Sequence, residues 1–216
     1  MQLRSERSAT VPRLTPEAPE EHSSLALPRL LGRLSPEEKT VIVDLGAPSE
    51  GNLRYLSQYR CRLHIGDIFD ALLSAGALGN GGPDGEEPDI EGICREAMSI
   101  DDDERVDLIL AWNLFDYLRP DQITRLASVL APHCHAKTAL FALVTYRQQM
   151  PARPGRYEVV SPELLHYRAS GVAVESSPRY KEPALTRALP GFVVDQSFLL
   201  RHGQHEYIFS WQGESA

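Results

Sequence analysis

Cysteine is scarce in this chain: Cys61, Cys94 and Cys134 are the only three in 216 residues, an odd number at no regular spacing. That excludes a disulfide-framed secreted module and fits a reducing, cytoplasmic compartment. Basic charge is in deficit as well. The 22 Lys and Arg stand against 30 Asp and Glu, a formal charge of -8, which is the wrong sign for a chain that mainly neutralises a phosphate backbone or an anionic membrane face. Long apolar runs are missing. Nothing approaches the roughly 18 to 20 residues of a membrane span, and the N-terminal stretch MQLRSERSATVPRLTPEAPEEHSS has no apolar core of the kind a signal peptide needs. The expectation is a soluble cytoplasmic protein with neither nucleic acid nor membrane among its partners.

What is present suffices for one ordinary globular domain, with 42% hydrophobic and 24% charged residues. Residues 1–23 mix Pro, Ser, Glu and Arg with few large apolar side chains and read as a disordered tail, leaving 24–216 as the folded domain. Leu25, Leu27, Leu30, Leu31 and Leu34 then fall at helical spacing. Val41 to Leu45 is an apolar, β-branched run that suits a strand buried on both faces. A helix from Asn52, a strand over Cys61 to Ile65 and a helix from Phe69 to Ala75 follow in turn. Residues 79–89 read as an exposed loop, and the eleven acids between Asp84 and Asp107 as a solvated acidic face. Val106 to Trp112 and Thr138 to Val144 are two more buried strands around a helix over Pro120 to Leu130. A short helix over Pro183 to Leu189 precedes two alternating runs, Phe192 to Leu200 and Glu206 to Trp211, which predict a closing antiparallel hairpin. Strands alternating with helices predict an α/β fold with a mostly parallel sheet covered on both faces.

Ligands of such sheets bind beyond the carboxyl ends of the strands. Those ends read Asp44-Leu45-Gly46-Ala47-Pro48-Ser49-Glu50-Gly51-Asn52, then Gly66-Asp67, then Asn113-Leu114-Phe115-Asp116-Tyr117-Leu118. In their order they resemble the class I S-adenosylmethionine-dependent methyltransferases, over roughly residues 25 to 212. VIVDLGAPSEGN is similar to that family's first strand and glycine-rich turn, Asp67 to its ribose-holding acid, and VDLILAWNLFDYL to the strand and loop that line the methyl-transfer site; Gly191-Phe192 ahead of the hairpin is similar too. The resemblance implies a Rossmann-like methyltransferase three-layer sandwich. It also implies S-adenosyl-L-methionine as cofactor, held by Asp44, Gly46, Ala47, Pro48, Asn52, Asp67, Ile68 and Asn113, with a small-molecule acceptor. Two departures stand out. Pro48 and Glu50 replace glycines of the usual turn, so a proline fixes φ and a carboxylate stands either beside the cofactor's cationic end or in its pocket. The family's third strand has only Ala97-Met98-Ser99-Ile100 as a candidate.

A methyl group on a sulfonium is already activated, so positioning carries most of the catalysis and a base is needed only if the acceptor must lose a proton. Asn113 is the acceptor-side candidate and His166 the histidine to test as a base. Asp116 and Tyr117 could accept a proton, but capping and packing are their simpler roles. Residues 147–181 lie where the family builds its lid; six cations there oppose three acids, with Tyr146, Tyr157, Tyr167 and Tyr180 interleaved. Two readings stand level: a cap for an anionic or planar acceptor, or a lid whose charges pair with the 84–107 acids or stay solvated. No metal is expected, since His133-Cys134-His135 and His202-Gly203-Gln204-His205 lack a spaced ligand set. The alternative function is a catalytically inactive methyltransferase-like module that contacts a protein partner. A nicotinamide enzyme is the weaker third, for want of a G-x-G-x-x-G cradle.

Overall fold

The computed structural model describes residues 18–78, 88–201 and 203–213. Its centre is a six-stranded sheet in the order β10-β11-β5-β4-β2-β3, formed by β2 (Thr40–Asp44), β3 (Cys61–Ile65), β4 (Leu108–Trp112), β5 (Ala139–Thr145), β10 (Phe192–Leu199) and β11 (Gln204–Trp211). β3, β2, β4 and β5 run parallel, and β11 is antiparallel to both β5 and β10. The closing hairpin is therefore as predicted. The chain leaves β2 for β3 on one side and returns to β4 on the other, so strand order reverses between β2 and β4. β2, β4 and β5 are buried at every position, which explains their unbroken apolar runs.

One face of the sheet carries α3 (Ile68–Ser74), α4 (Ile90–Met98), α5 (Pro120–Leu130) and α6 (Glu182–Ala188), packed on Val43, Ile109, Leu140 and Phe209. The other face carries α1 (Leu27–Leu31), α2 (Glu50–Leu56) and a small antiparallel sheet in the order β1-β8-β7, packed on Ile42, Leu110, Trp112 and Phe141. β1 is Glu20–Ser23, β7 is Arg156–Ser161 and β8 is Leu164–Arg168; β6 (Gln149–Pro151) and β9 (Val174–Ser176) form a third, two-stranded sheet. The result is a three-layer α/β sandwich.

Three expectations need correction. Residues 20–23 were placed in the disordered tail, yet they add a strand to β8, and the segment after them is tied down where Leu25 and Ala26 N–H donate to the fully buried Glu206 carboxylate at 2.7 and 2.9 Å. Ala97–Ile100 is not a strand: α4 runs to Met98 and stops at Ser99 in the left-handed region, leaving β3 at the edge of the sheet. The acidic segment is not wholly a solvated face either, because α4 within it buries Ile90, Cys94 and Met98, and Arg62 pairs with Asp101 and Glu104. Residues 79–87, most of the predicted loop, and His202 lie outside the described residues.

Candidate active site

Two cavities lie beyond the carboxyl ends of the parallel strands. The first, about 230 Å³, is lined by Gly46 and Ala47 after β2, Asp67 after β3, Trp112 and Asn113 at β4, and Arg153 to Tyr157 of the lid. The second, about 810 Å³, has Asn113, Asp116 and Tyr117 on one side and Glu20, His22, Tyr157, Tyr167 and Gln204 on the other. Asn113 and Tyr157 belong to both linings, so the two spaces adjoin at that pair.

Asp44 ends β2 with only 2% of its surface exposed. Its Oδ1 accepts from Gly46 N at 2.9 Å and from Trp112 Nε1 at 2.7 Å, and its Oδ2 from Asn52 Nδ2 at 3.3 Å. Burial pushes its pKa up to about 6, although these three donors pull the other way. The indole reaches Asp44 because the β4–β5 register shifts between Leu110 and Trp112, and Trp112 takes φ 47. Such a bulge re-aims a side chain. It also explains the need for glycine at 46, where a Cβ would meet Trp112 Cδ1 at 2.8 Å.

Asn52 faces away from both cavities and acts as a clamp. Its Nδ2 also donates to Tyr157 O at 3.0 Å, and its Oδ1 accepts from Val159 N at 2.8 Å, so one amide ties α2 to β7. Ser49 caps α2 by accepting from Asn52 N at 3.1 Å and donates to Glu158 at 3.2 Å. Glu50 does not fill the pocket; it is exposed and pairs with Arg54 one turn later. Pro48 and the buried Ile68 are in neither lining.

Asp67 lies at the mouth of the first cavity in the left-handed region, φ 34, where it caps α3 by accepting from Asp70 N at 3.4 Å. Burial raises its pKa against the hydrogen bond from Asp70 N–H, the Asp70 charge adds to the rise and Arg156 opposes it. Asn113 is 6% exposed and begins the 3-10 turn Leu114–Tyr117. Asp116 follows it by three residues, the spacing that eclipses side chains in such a turn. Asp116 is therefore no helix cap: it is 4% exposed, both its oxygens accept from Thr145 N at 3.2 and 3.0 Å, and it lines the second cavity. Burial pushes its pKa up to about 8. Nor does Tyr117 merely pack, since its hydroxyl donates to the lid carbonyls of Pro151 and Arg153, at 3.0 Å each.

His166 lies on β8 between Leu165 and Tyr167, and whereas Tyr167 lines the second cavity, His166 lines neither and approaches Glu21 at 4.0 Å. Tyr157 was missed as a site residue. It is buried, stacks on Trp112 with centroids 5.8 Å apart and rings 5° from parallel, and its hydroxyl accepts from Gln204 Nε2 at 2.6 Å. Its sequence signals were its place among the lid tyrosines and a period-two pattern with Val159. Of the histidines considered for metal, His133 meets Glu104 O, His135 meets Asp107 and His205 meets Tyr146. Among the described residues no group of three metal-ligating side chains occurs, and no helix is long and apolar enough to cross a membrane.

No family model matches the chain, and no curated protein does. Among solved structures, it is similar to the Burkholderia thailandensis 1,6-didemethyltoxoflavin-N1-methyltransferase, solved with 1,6-didemethyltoxoflavin and S-adenosylhomocysteine bound, at 15% identity and TM-score 0.48 over 87% of this chain and 76% of that one. It is similar to the glycopeptide N-methyltransferase MtfA complexed with S-adenosyl-L-methionine, at 10% identity and TM-score 0.47 over 87% and 86%. A putative type 11 methyltransferase from Sulfolobus solfataricus is also similar, at 17% identity and TM-score 0.44 over 83% and 88%. The fold class rests on the strand order and registers of the chain itself: a Rossmann-like α/β sandwich whose parallel strands open onto paired cavities.

Proposed function

We propose that this chain binds S-adenosyl-L-methionine and transfers its methyl group to a small-molecule acceptor. The observation that carries the reading is the junction at Asn113 of a cavity lined by Gly46, Ala47 and Asp67 with a larger one lined in part by Tyr117, Tyr157 and Tyr167. The donor set fits an adenosyl group. Asp67 offers a carboxylate to ribose hydroxyls, Gly46 and Ala47 allow close backbone approach, and Asp44 holds the turn through Gly46 N. At about 230 Å³ the first cavity is smaller than the roughly 300 to 1,000 Å³ common for such ligands, so the lid residues Arg153 to Arg156 must move outward on binding. When bound, the cofactor supplies an electrophilic methyl group. The chain holds the acceptor beside Asn113 and keeps water out with Tyr157 and the lid. The three free thiols and the excess of acid fit a cytoplasmic enzyme whose partner is a metabolite, with neither nucleic acid nor membrane as partner.

One observation favours the second reading, a module without catalysis. Trp112 Nε1 already occupies Asp44, and the indole fills the space over Gly46. Calorimetric titration with S-adenosyl-L-methionine and with NAD separates the readings. Wild type is expected to bind the first alone, and Asp67→Ala and Gly46→Val to weaken that binding at least tenfold, as loss of a charged partner or of close approach should. Absence of binding by wild type supports the module; unchanged affinity in both variants places the cofactor elsewhere.

A further inference from the structure

The second cavity holds a group that positioning alone does not require. Asp116 is a carboxyl all but removed from solvent, yet it lines a space of about 810 Å³. Among the described residues its only hydrogen bonds come from Thr145 N, so most of its acceptor capacity is unspent in a residue that lines the cavity. A buried carboxyl left this short of donors is expensive to keep for structure alone. Three residues earlier on the same 3-10 turn stands Asn113, at the junction with the first cavity. The remaining walls include four rings, Tyr117, Tyr157, Tyr167 and His22, set among Thr145, Arg147 and glutamines, with His22 and Tyr167 stacked at centroids 5.2 Å apart and planes 20° from parallel.

We infer that Asp116 is the general base of this site and that the acceptor is a planar aromatic molecule carrying a weakly acidic hydroxyl or ring N–H. This rests on the methyl-transfer reading for its reaction, though not for its binding chemistry. The acceptor lies in the cavity against these rings with its O–H or N–H on the Asp116 carboxylate. The proton passes to Asp116, and the lone pair so freed forms the bond to the methyl carbon as that carbon's bond to sulfur breaks. The sulfonium becomes a neutral thioether and Asp116 leaves the step as the neutral acid, so charge and atoms balance. A base poised near 8 is matched to such a proton, being ionised in part at physiological pH and basic enough to take it. The groups facing it are Tyr117 on its own turn, Arg147 after β5, Tyr157 and Tyr167 of the lid sheet, Glu20 and His22 of β1, and Tyr180 ahead of α6.

The test uses β-naphthol and its methyl ether, which differ only in the proton at issue, in fluorescence titrations of the full chain at about pH 6 and about pH 9, on either side of the Asp116 midpoint. Wild type is expected to prefer the naphthol at least tenfold at the higher pH and to lose most of that preference at the lower, the size expected for a hydrogen bond to a charged group. Asp116→Asn should abolish the pH dependence of the preference while its calorimetric affinity for S-adenosyl-L-methionine stays unchanged. The wild-type comparison stands even if the variant fails to fold. Equal binding of the two probes, no binding of either, or a preference that survives in Asp116→Asn overturns the inference. If the preference is found but the cofactor does not bind, the acceptor chemistry holds and the methyl-transfer reading falls.

Discussion

At the end of β2 and the start of α2, the sequence offers an Asp and an Asn eight positions apart, both of which resemblance assigns to a cofactor. The structure gives them different work. Asn52 spends its amide on nearby Asp44 and on Tyr157 O and Val159 N, two partners brought in from more than a hundred residues away, which no local pattern announces. Asn52→Ala should therefore destabilise the fold by roughly 1 to 3 kcal/mol, since it strands a buried N–H and a buried carbonyl, and should speed amide exchange at Val159 ahead of the rest of β7. Exchange of β7 as one block would show that the clamp is not local. Asp116 yields a second prediction, on pH. Its folded pKa, about 8, lies above the usual carboxylate range, so it contributes stability that is fully present below about pH 4 and is lost as pH rises through about 8. Urea denaturation at about pH 6 and about pH 9 should find wild type losing about 3 kcal/mol that Asp116→Asn keeps. Parallel losses would mean that the carboxyl is solvated.

Among the elements, those with strong periodicity or unbroken apolar runs were legible: β2, β3, β4, β5, α5 and the β10–β11 hairpin all lie within a few residues of their predicted bounds. α4 was obscured by its acids, although Ile90, Cys94 and Met98 at four-residue intervals mark its buried face. β6 and β9 have three residues each and pair non-locally, which leaves little periodic signal, whereas β7 and β8 form a local hairpin whose alternating Tyr157, Val159 and Leu165 went unread. β1 was illegible for a physical reason. Its residues are polar, and what holds them is distant in sequence: β8, with which they pair, and, just after them, a carboxylate 180 residues away that receives Ala26 N–H. Glu206→Leu removes that acceptor while keeping bulk in a site with no exposure, so the segment from 18 to 26 should become sensitive to limited proteolysis while the six-stranded sheet still unfolds cooperatively. Continued protection of that segment would mean that the β1–β8 pairing suffices alone.

For the molecule as a whole, the position of the site followed from the fold class alone: a sheet that reverses its order between β2 and β4 opens a crevice there, and Gly46, Ala47, Asp67 and Asn113 meet in it. The lid segment 147–181 was anticipated, but the contacts that close it were not, because Tyr157 meets Trp112 and Gln204 only when the chain folds. Glu20 and His22 help wall the larger chamber, although they come from a stretch whose composition promises nothing. Trimming the chain at residue 24, a natural choice for anyone seeking a tidier expression product, would thus leave the larger chamber with a doorway in its side, and any binding measured there would belong to the shortened molecule alone.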